Sequence, residues 1–177
     1  MDDIKGRSAI TDYEQLVVFK LEKEHFGVNI ESINGIVMMD EITKVPKAPN
    51  FIEGVINLRG SVIPVLDLRK RFGLEATPPT KSSRIVVVEL SEGVIGMIVD
   101  EVSETFKISS EEIDPPSSFF ESTETQFVKG VAKKSDGLVI ILDLSSILTT
   151  SQMKAVSKIR KKVEDMGSEP KSDEKVA

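Results

Sequence analysis

The 177-residue chain contains no cysteine and no tryptophan, a single histidine and a single tyrosine, and 5% aromatic residues in all. Without cysteine it forms neither disulfides nor thiolate metal sites, which fits a reducing compartment. With so few aromatic side chains, its core has to rest on valine, isoleucine and leucine. No acidic spacing resembles a calcium loop, and no glycine-rich phosphate loop is present. We therefore expect no metal and no cofactor.

A basic surface and a membrane span are also missing. The net charge of −6 and the pI near 5.0 argue against a protein that binds nucleic-acid phosphates through a broad basic face. No apolar run approaches the roughly 18 residues that a spanning helix requires. The polar N-terminus MDDIKGRSAITDYEQ lacks the apolar segment of a signal peptide. These absences predict a soluble cytoplasmic protein that does not bind nucleic acid or insert into a membrane.

What the chain does contain is a series of short apolar runs rich in β-branched residues. They lie at 15–21, 84–90, 94–102 and 137–144, and prolines between 46 and 116 exclude long helices from the middle of the chain. Many short strands at close spacing, with turn residues between them, predict an all-β barrel or sandwich. The polar residues 1–13 are predicted to form a flexible N-terminus, as chain ends often do.

These strand-like segments recur in the same order in two halves, at about 14–79 and 80–150. FIEGVI begins at Phe51, sixteen residues before Asp67, and FVKGVA begins at Phe127, sixteen residues before Asp143. Each segment has glycine at its fourth position. The recurrence predicts a duplicated unit of about seventy residues. Because one such unit buries too little surface to be comfortably stable, we expect the two halves to share an apolar junction.

The character of the sequence changes after Leu148. Apolar residues then recur at intervals of three and four, which predicts an amphipathic helix over 151–166. Thr149 and Gln152 have the spacing of a capping box, and KIRKK (158–162) is expected to be a solvated helix face rather than a site for an anionic partner. Residues 167–177 have almost nothing apolar to bury and are predicted to be a disordered tail.

No set of residues resembles a catalytic site. His25 has no acid or base near it in the sequence, and Asp67 and Asp143 are expected to cap the turns that follow them rather than act as acids. Two other classes stay open: an enzyme with dispersed carboxylates, and a small barrel that binds nucleic acid. The second class needs aromatic side chains in a basic groove, for which this composition gives little support. The sequence therefore favours a protein that binds rather than reacts.

Several segments together resemble the CheW family, the adaptor proteins of bacterial chemotaxis, whose domain also occurs in the kinase CheA and in CheV. They are FGVNIESI, ITKVPKAPNFIEGVINLRGSVIPVLDLRKRFG, RIVVVE, GMIVDEV, IDPP and LVIILDL, and the most specific is FIEGVINLRG followed by VIPVLDLR. The resemblance covers 14–150. It implies a mainly β fold of two small five-stranded barrels of the SH3 type that share a hydrophobic junction, followed here by the C-terminal helix.

The resemblance also implies a function and its partners. CheW-like adaptors are non-enzymatic scaffolds that couple methyl-accepting chemoreceptors, through their cytoplasmic tips, to the regulatory CheW-like domain of the histidine kinase CheA. The chain has no room for the receiver domain of CheV or the phosphotransfer and ATP-binding domains of CheA. The resemblance therefore implies a free-standing cytoplasmic adaptor that is recruited to membrane chemoreceptor arrays.

A receptor-binding groove between the barrels is implied as well. Its residues here would be Ile33, Gly35, Ile36, Val37, Asn57 and Arg59, of which the last two fall on the asparagine and arginine of the NLRG motif. Gly35 stands where some relatives carry an acidic residue. Arginine suits such a groove because its planar fork grips carboxylates or carbonyls while its stem covers apolar surface. The alternative is that Arg59 is a turn residue that pairs only within its own domain.

Overall fold

The computed structural model describes residues 13–39, 42–116, 126–135 and 137–176, with residues 164 and 166–176 described as backbone only. Residues 1–12 of the predicted flexible N-terminus lie outside these ranges, and Tyr13 already begins a strand. The described elements, in chain order, are β1 (Tyr13–Leu21), β2 (Glu24–Asn29), β3 (Ile33–Met38), β4 (Ile52–Leu58), β5 (Ser61–Asp67), α1 (Leu68–Arg71), β6 (Arg84–Leu90), β7 (Gly93–Val99), β8 (Glu101–Ser109), β9 (Ile113–Asp114), β10 (Val128–Lys134), β11 (Gly137–Leu142) and α2 (Thr150–Val176).

The strands form two sheets, and each sheet takes strands from both halves of the sequence. One has five strands in the order β3-β6-β7-β5-β4, and the other has six in the order β8-β1-β2-β11-β10-β9. Most neighbours are antiparallel, whereas β5 pairs with β7 and β2 pairs with β11 in parallel. The fold is therefore mainly β, as predicted.

The two sheets repeat one topology. Matching β3-β6-β7-β5-β4 with β8-β1-β2-β11-β10 pairs each strand with its counterpart in the other half of the chain. In both sheets the hairpin that begins one half is inserted into the sheet of the other half. The predicted division near residue 79 thus marks a repeat in the sequence but not two separate spatial units. Exchanging hairpins lets each small half bury strands that it could not cover alone.

The sixteen-residue spacing has a direct structural counterpart. The Phe51 carbonyl accepts a hydrogen bond from the Asp67 amide at 3.0 Å, and the Phe127 carbonyl accepts one from the Asp143 amide at 2.9 Å. Both aspartates then cap the following turn, because the side chain of each accepts a backbone N–H two residues on. The prediction that they are caps is confirmed.

Three apolar clusters hold the sheets together. A junction core lies between them and includes Phe19, Val28, Leu66, Val88 and Met97. Each sheet also has a smaller core on its other face: a five-strand core around Ile63 and Val87, and a six-strand core around Leu16 and Ile141. Strands β1, β5 and β6 each contain four or more consecutive buried residues, as a sheet with two covered faces requires. The predicted shared junction is therefore present.

The sheets are open rather than closed barrels. Within the described residues the end strands β3 and β4 do not pair, and Thr43 from the segment between them instead bridges to Val55 with N–O distances of 2.9 and 2.8 Å. In the other sheet, β8 and β9 are consecutive pieces of one segment that a 3₁₀ turn at Ser110–Glu112 bends. The ends of that sheet are joined through the chain instead of through strand pairing. The prediction of five-stranded barrels is not confirmed at this level of detail.

Helix α2 docks on the sheets through its apolar stripe. Val156 and Ile159 are buried in the junction core, and Met153 and Val163 pack against it. Thr149 and Gln152 form the predicted reciprocal cap, with N–O distances of 2.8 and 3.2 Å. None of the described helices combines the length and apolarity needed to cross a bilayer.

The helix is longer than the sequence predicts. The sequence predicts an end at Met166, whereas the helix continues to Val176, so residues 167–176 are helical in the structure. The expectation of a tail rested on the shortage of apolar residues, which argues against packing. This segment includes Lys171, Glu174 and Lys175, which favour the helical conformation, as well as Gly167 and Pro170, which disfavour it.

A polar network ties the two sheets together beside α1. Arg69 donates to both carboxylate oxygens of Asp100, at 2.9 and 2.6 Å, and to Glu22 at 3.2 Å. The Glu22 amide, in the β1–β2 turn, donates to the same Asp100 carboxylate at 2.8 Å. Burial acts to raise the pKa of Asp100, but the hydrogen bonds from Arg69 and Glu22 outweigh it and lower this pKa below its ordinary value. The charged form of Asp100 therefore stabilises the junction.

We expect Asp100→Asn to lower the free energy of unfolding at pH 7 by about 1.5–3 kcal/mol, the usual range for hydrogen bonds to a charged group. Because the folded-state pKa is depressed, this contribution is complete above the unfolded value of ~3.9 and is lost as the pH falls through the folded value. Denaturant unfolding of both proteins between pH 7 and pH 3 measures the difference. Burial raises the pKa of Asp67, so the contribution of Asp67 to stability changes with pH in the opposite direction. That contribution is present in both proteins and cancels when the variant is compared with wild type.

The neighbouring Glu101→Gln is the matched control, since Glu101 is exposed and should change stability by less than about 0.5 kcal/mol. If the difference in the free energy of unfolding between wild type and Asp100→Asn stays constant down to pH 3, the carboxylate charge does not stabilise the junction.

Candidate functional site

Arg59 occupies a strained turn. It and Gly60 form the two-residue connection between β4 and β5, where Leu58 pairs with Ser61, and their φ angles are 55° and 85°. Positive φ at both positions defines the type I′ turn of tight hairpins, which asparagine and glycine fill best. A left-handed conformation costs a residue such as arginine about 1–2 kcal/mol. The arginine is therefore not required for the turn itself.

Asn57 shapes this turn. Its Oδ1 accepts a hydrogen bond from the Gly60 amide at 3.1 Å, which holds the hairpin closed. Arg59 is exposed, and within the described ranges its guanidinium makes no hydrogen bond or ion pair with another residue. The alternative in which Arg59 pairs within its own domain thus has no support among the described residues. Asn57 supports the turn, and Arg59 presents its side chain outward.

The side of the β4–β5 turn opens onto a groove of about 400 Å³, which we call the Arg59 groove. It lies between this turn, the β6–β7 turn and helix α2. Its floor is apolar and is formed by Leu58, Val62, Ile63, Val87 and Val94. Its polar side chains include Asn34, Arg59, Glu92 and Arg160. Such a surface can hold the apolar stripe of a partner and contact polar groups at its margins.

Helix α2 contributes Arg160 to the groove. The guanidinium donates to the Glu92 carbonyl at 3.3 Å and to the Val94 carbonyl at 2.6 Å. A Cβ atom on Gly93, between these residues, would lie 2.6 Å from the guanidinium. Glycine at this position lets the arginine lie directly on the backbone of the β6–β7 turn. These hydrogen bonds hold helix α2 against the β6–β7 turn at the edge of the groove.

Strand β3 carries the other predicted site residues, and it lies at the end of the five-stranded sheet, paired with β6. Ile36 is 41% exposed, and a Cβ on Gly35 would meet no atom within 4 Å. Ile33 and Val37 are half-buried, Ile33 against the junction core and Val37 against the five-strand core. None of these four residues lines the Arg59 groove. Asn34, from the same strand, does.

Of the residues that line this groove, the sequence-based site named Arg59 alone, and it missed Asn34, Glu92 and Arg160 among others. Asn34 sits between two residues that the resemblance pointed to, but no motif marked it. Glu92 lies in an ordinary polar turn, and Arg160 lies in KIRKK, which was expected to be solvated. The apolar spacing of α2 was the available signal, since a docked helix places the residues next to its buried stripe against a neighbouring element.

The described residues hold no group of three or more histidine, aspartate or glutamate side chains placed to bind a metal ion. The phenylalanines Phe19, Phe26, Phe72 and Phe127 stack on one another in or against the junction core. Side chains in that position are not presented for base stacking in a basic groove. The features of the Arg59 groove, an apolar floor and charged margins, are those of a surface that binds a partner.

Comparison with known proteins agrees with this architecture. The CheW-like domain family matches residues 15–152. The chemotaxis protein CheW of Helicobacter pylori is 35% identical over 135 residues, which cover 76% of this chain and 81% of the relative. CheW of Rhizobium meliloti is 31% identical over 141 residues, covering 80% and 91%. The crystal structure of the scaffolding protein TtCheW from Thermoanaerobacter tengcongensis matches with a TM-score of 0.72 and 41% identity, covering 78% of this chain and 94% of that one. The chain, with its duplicated topology and its NLRG turn, therefore belongs to the CheW family.

Proposed function

We propose that this protein is a non-enzymatic chemotaxis scaffold that couples methyl-accepting chemoreceptors to the histidine kinase CheA. It works from the cytoplasm and is recruited to membrane receptor arrays through these contacts. Family membership supports this role, as does the description of a structural relative as a scaffolding protein. The observation that carries the proposal is Arg59, an exposed arginine in a strained turn at the margin of an apolar groove.

In this proposal the cytoplasmic tip of the receptor docks at the Arg59 groove. Arg59 grips it directly, and Asn57 keeps the turn in shape. The predicted residues of β3, namely Ile33, Gly35, Ile36 and Val37, form the adjoining surface. The exposed Ile36 and Met38 of that strand give it apolar area for a helical partner.

The kinase contact uses a different surface. By the family resemblance CheA carries a domain of the same fold, so the two domains can pack quasi-symmetrically through outer strands. The SH3-like barrel description also belongs to this proposal, and it applies to each sheet with its own outer core rather than to each half of the sequence. Arg59→Ala should accordingly leave kinase binding nearly intact.

The test uses Arg59→Asn, because asparagine suits the positive-φ position better than arginine does. We expect the variant to be more stable than wild type by about 0.5–1 kcal/mol, through relief of strain. We also expect its affinity for a receptor-tip fragment to fall at least fivefold, since the guanidinium contact is lost. Thermal unfolding and titration calorimetry measure the two effects, and they should have opposite signs.

Lys23→Asn is the matched control. Lys23 is an exposed cation in the two-residue β1–β2 turn of the other sheet, so the same substitution there should leave receptor affinity unchanged. If Arg59→Asn binds receptor like wild type, the groove assignment is wrong. A parallel loss of receptor and kinase binding in a folded variant would overturn the separation of the two surfaces.

A further inference from the structure

We propose that an apolar face of β11 beside the β1–β2 turn is a second docking surface, which takes an amphipathic α-helix with basic residues next to its apolar stripe. This surface belongs to the six-stranded sheet, whereas the β4–β5 turn of the Arg59 groove belongs to the five-stranded sheet. The proposal therefore does not depend on receptor binding at Arg59. It rests on the repeat, because helix α2 covers the equivalent face of the other sheet.

A pocket of about 420 Å³ marks this face, which we call the β11 surface together with the neighbouring Leu138. The apolar residues that line the pocket include Leu21, Phe26, Phe72, Leu74, Phe127 and Ile140. Leu138 lies two residues before Ile140, so the two side chains lie on the same face of β11. Leu138 is 42% exposed, and it continues the apolar face of the pocket toward the β10–β11 turn. A contiguous apolar patch of this kind is typical of an interaction site.

The repeat aligns the β11 surface with a face of β5. Phe127 is the counterpart of Phe51, and the same offset in the sequence makes Leu138 the counterpart of Val62. The β1–β2 turn is likewise the counterpart of the β6–β7 turn, since the two turns close equivalent hairpins. Because equivalent strands in the same order present similar backbone surfaces, the element that covers one copy indicates what fits the other.

Helix α2 covers the β5 copy of this face. It contacts β5, and its Val156 and Ile159 are buried in the junction core, against which Val62 packs. Val62 is half-buried as a result. Among the described elements, no helix contacts β11 as α2 contacts β5, and Leu138 is exposed. Within the described residues, the β11 surface is thus the uncovered equivalent of a site where a helix docks.

The charges beside the pocket favour a basic helix. Glu22 and Glu24, at the β1–β2 turn, line the pocket, and its described lining contains no lysine or arginine. Glu22 is paired with Arg69. Glu24 is exposed, and within the described ranges its carboxylate makes no hydrogen bond or ion pair. A lysine or arginine beside the apolar stripe of a docked helix can reach this carboxylate. Helix α2 itself combines such a stripe with the basic run KIRKK.

The probe for this surface is a synthetic peptide of residues 149–166, which carries the apolar stripe and KIRKK. It is added to the full chain, and binding is followed through the methyl signals of Leu138 and Ile140 in NMR spectra. Both signals should shift and reach saturation. A control peptide with Val156→Ser and Ile159→Ser should bind at least tenfold more weakly. The chain's own α2 should stay docked, because its covalent attachment gives it an effective concentration on the order of millimolar.

Variants of the full chain test the apolar face and the charge separately. Leu138→Lys places a cation opposite the basic helix, and it should weaken peptide binding at least tenfold. Met38→Lys is the matched control, since Met38 is an exposed apolar residue of β3 in the other sheet, and it should leave peptide affinity unchanged. Glu24→Gln should weaken binding about threefold at low salt, and added salt should remove that difference.

Several outcomes would overturn the proposal. If neither peptide binds, or if binding is insensitive to Leu138→Lys and shifts Val62 instead, the β11 surface does not take a helix. Equal peptide affinity in Glu24→Gln and wild type at low salt would reject the basic residues of the ligand. If sedimentation shows a dimer of the full chain that Leu138→Lys dissociates, the occupant is a second copy and not a partner helix. Arg59→Asn should bind the peptide like wild type, so failure at this surface leaves the proposed receptor groove standing.

Discussion

Replacing Gly54 by alanine is expected to lower the melting temperature by about 10 °C, which corresponds to about 3–5 kcal/mol. A Cβ atom at this position would lie 2.2 Å from the Thr43 carbonyl oxygen, where the segment between β3 and β4 bridges to β4. Its φ of 152° is a conformation that side chains rarely adopt. Since the obstructing atom belongs to the backbone, the bridge itself must move. Thermal unfolding followed by circular dichroism measures the change.

The repeat supplies a graded series of controls. Gly130 occupies the equivalent place in β10, where a Cβ would meet the Cγ2 methyl of Ile113 at 2.5 Å and the Asp114 carbonyl oxygen at 2.9 Å. Gly130→Ala should cost less, about 1–3 kcal/mol. Gly35→Ala, with no atom within 4 Å, should be neutral or slightly stabilising. A Gly54→Ala protein that melts like Gly35→Ala would show that the bridge to Thr43 is not rigid.

The same pair of glycines shows which parts of the fold the sequence could reveal. Gly54 and Gly130 recur at one spacing because each permits the close approach of a neighbouring segment, and such local requirements leave a readable pattern. The exchange of hairpins between the two halves leaves no such pattern in the sequence. A strand that is apolar on both faces, such as β6, fits the middle of either sheet, so the pattern of burial does not identify its partners.

The candidate site divides in the same way. Arg59 and Asn57 were predicted because they lie in one short motif on one hairpin. Asn34 and Arg160 line the groove beside Arg59 although both are far from the NLRG motif in the sequence. Arg160 lies there because α2 packs on the sheets. The positive φ of Arg59 was also invisible in the sequence, since NLRG is compatible with several turns. The sequence therefore indicates residues that one hairpin brings together, but not the residues that distant elements bring to the same groove.

Removing helix α2 by ending the chain after Thr149 is expected to lower the melting temperature by about 5–10 °C. The helix places Val156 and Ile159 in the junction core and packs Met153 and Val163 against it. Burial of four such side chains contributes about 4–8 kcal/mol, and the entropy lost in ordering the helix offsets much of this. A net loss of about 2–3 kcal/mol remains, together with newly exposed apolar surface on the core.

Ending the chain after Met166 is the matched control, because it keeps the whole stripe and Arg160, and it should melt like the full chain. Ile159→Ala should destabilise the protein by a comparable amount, about 2–4 kcal/mol, because it leaves a cavity under a helix that is still ordered, whereas Lys158→Ala on the exposed face should not. The protein that ends at Thr149 should also bind receptor more weakly, since it lacks Arg160 of the groove. The protein that ends at Met166 should bind receptor like the full chain. If the protein ending at Thr149 melts like the full chain, α2 does not contribute to the junction core. An exposed partner-binding helix would then replace the docked helix, because an apolar stripe of this size needs some surface to cover it.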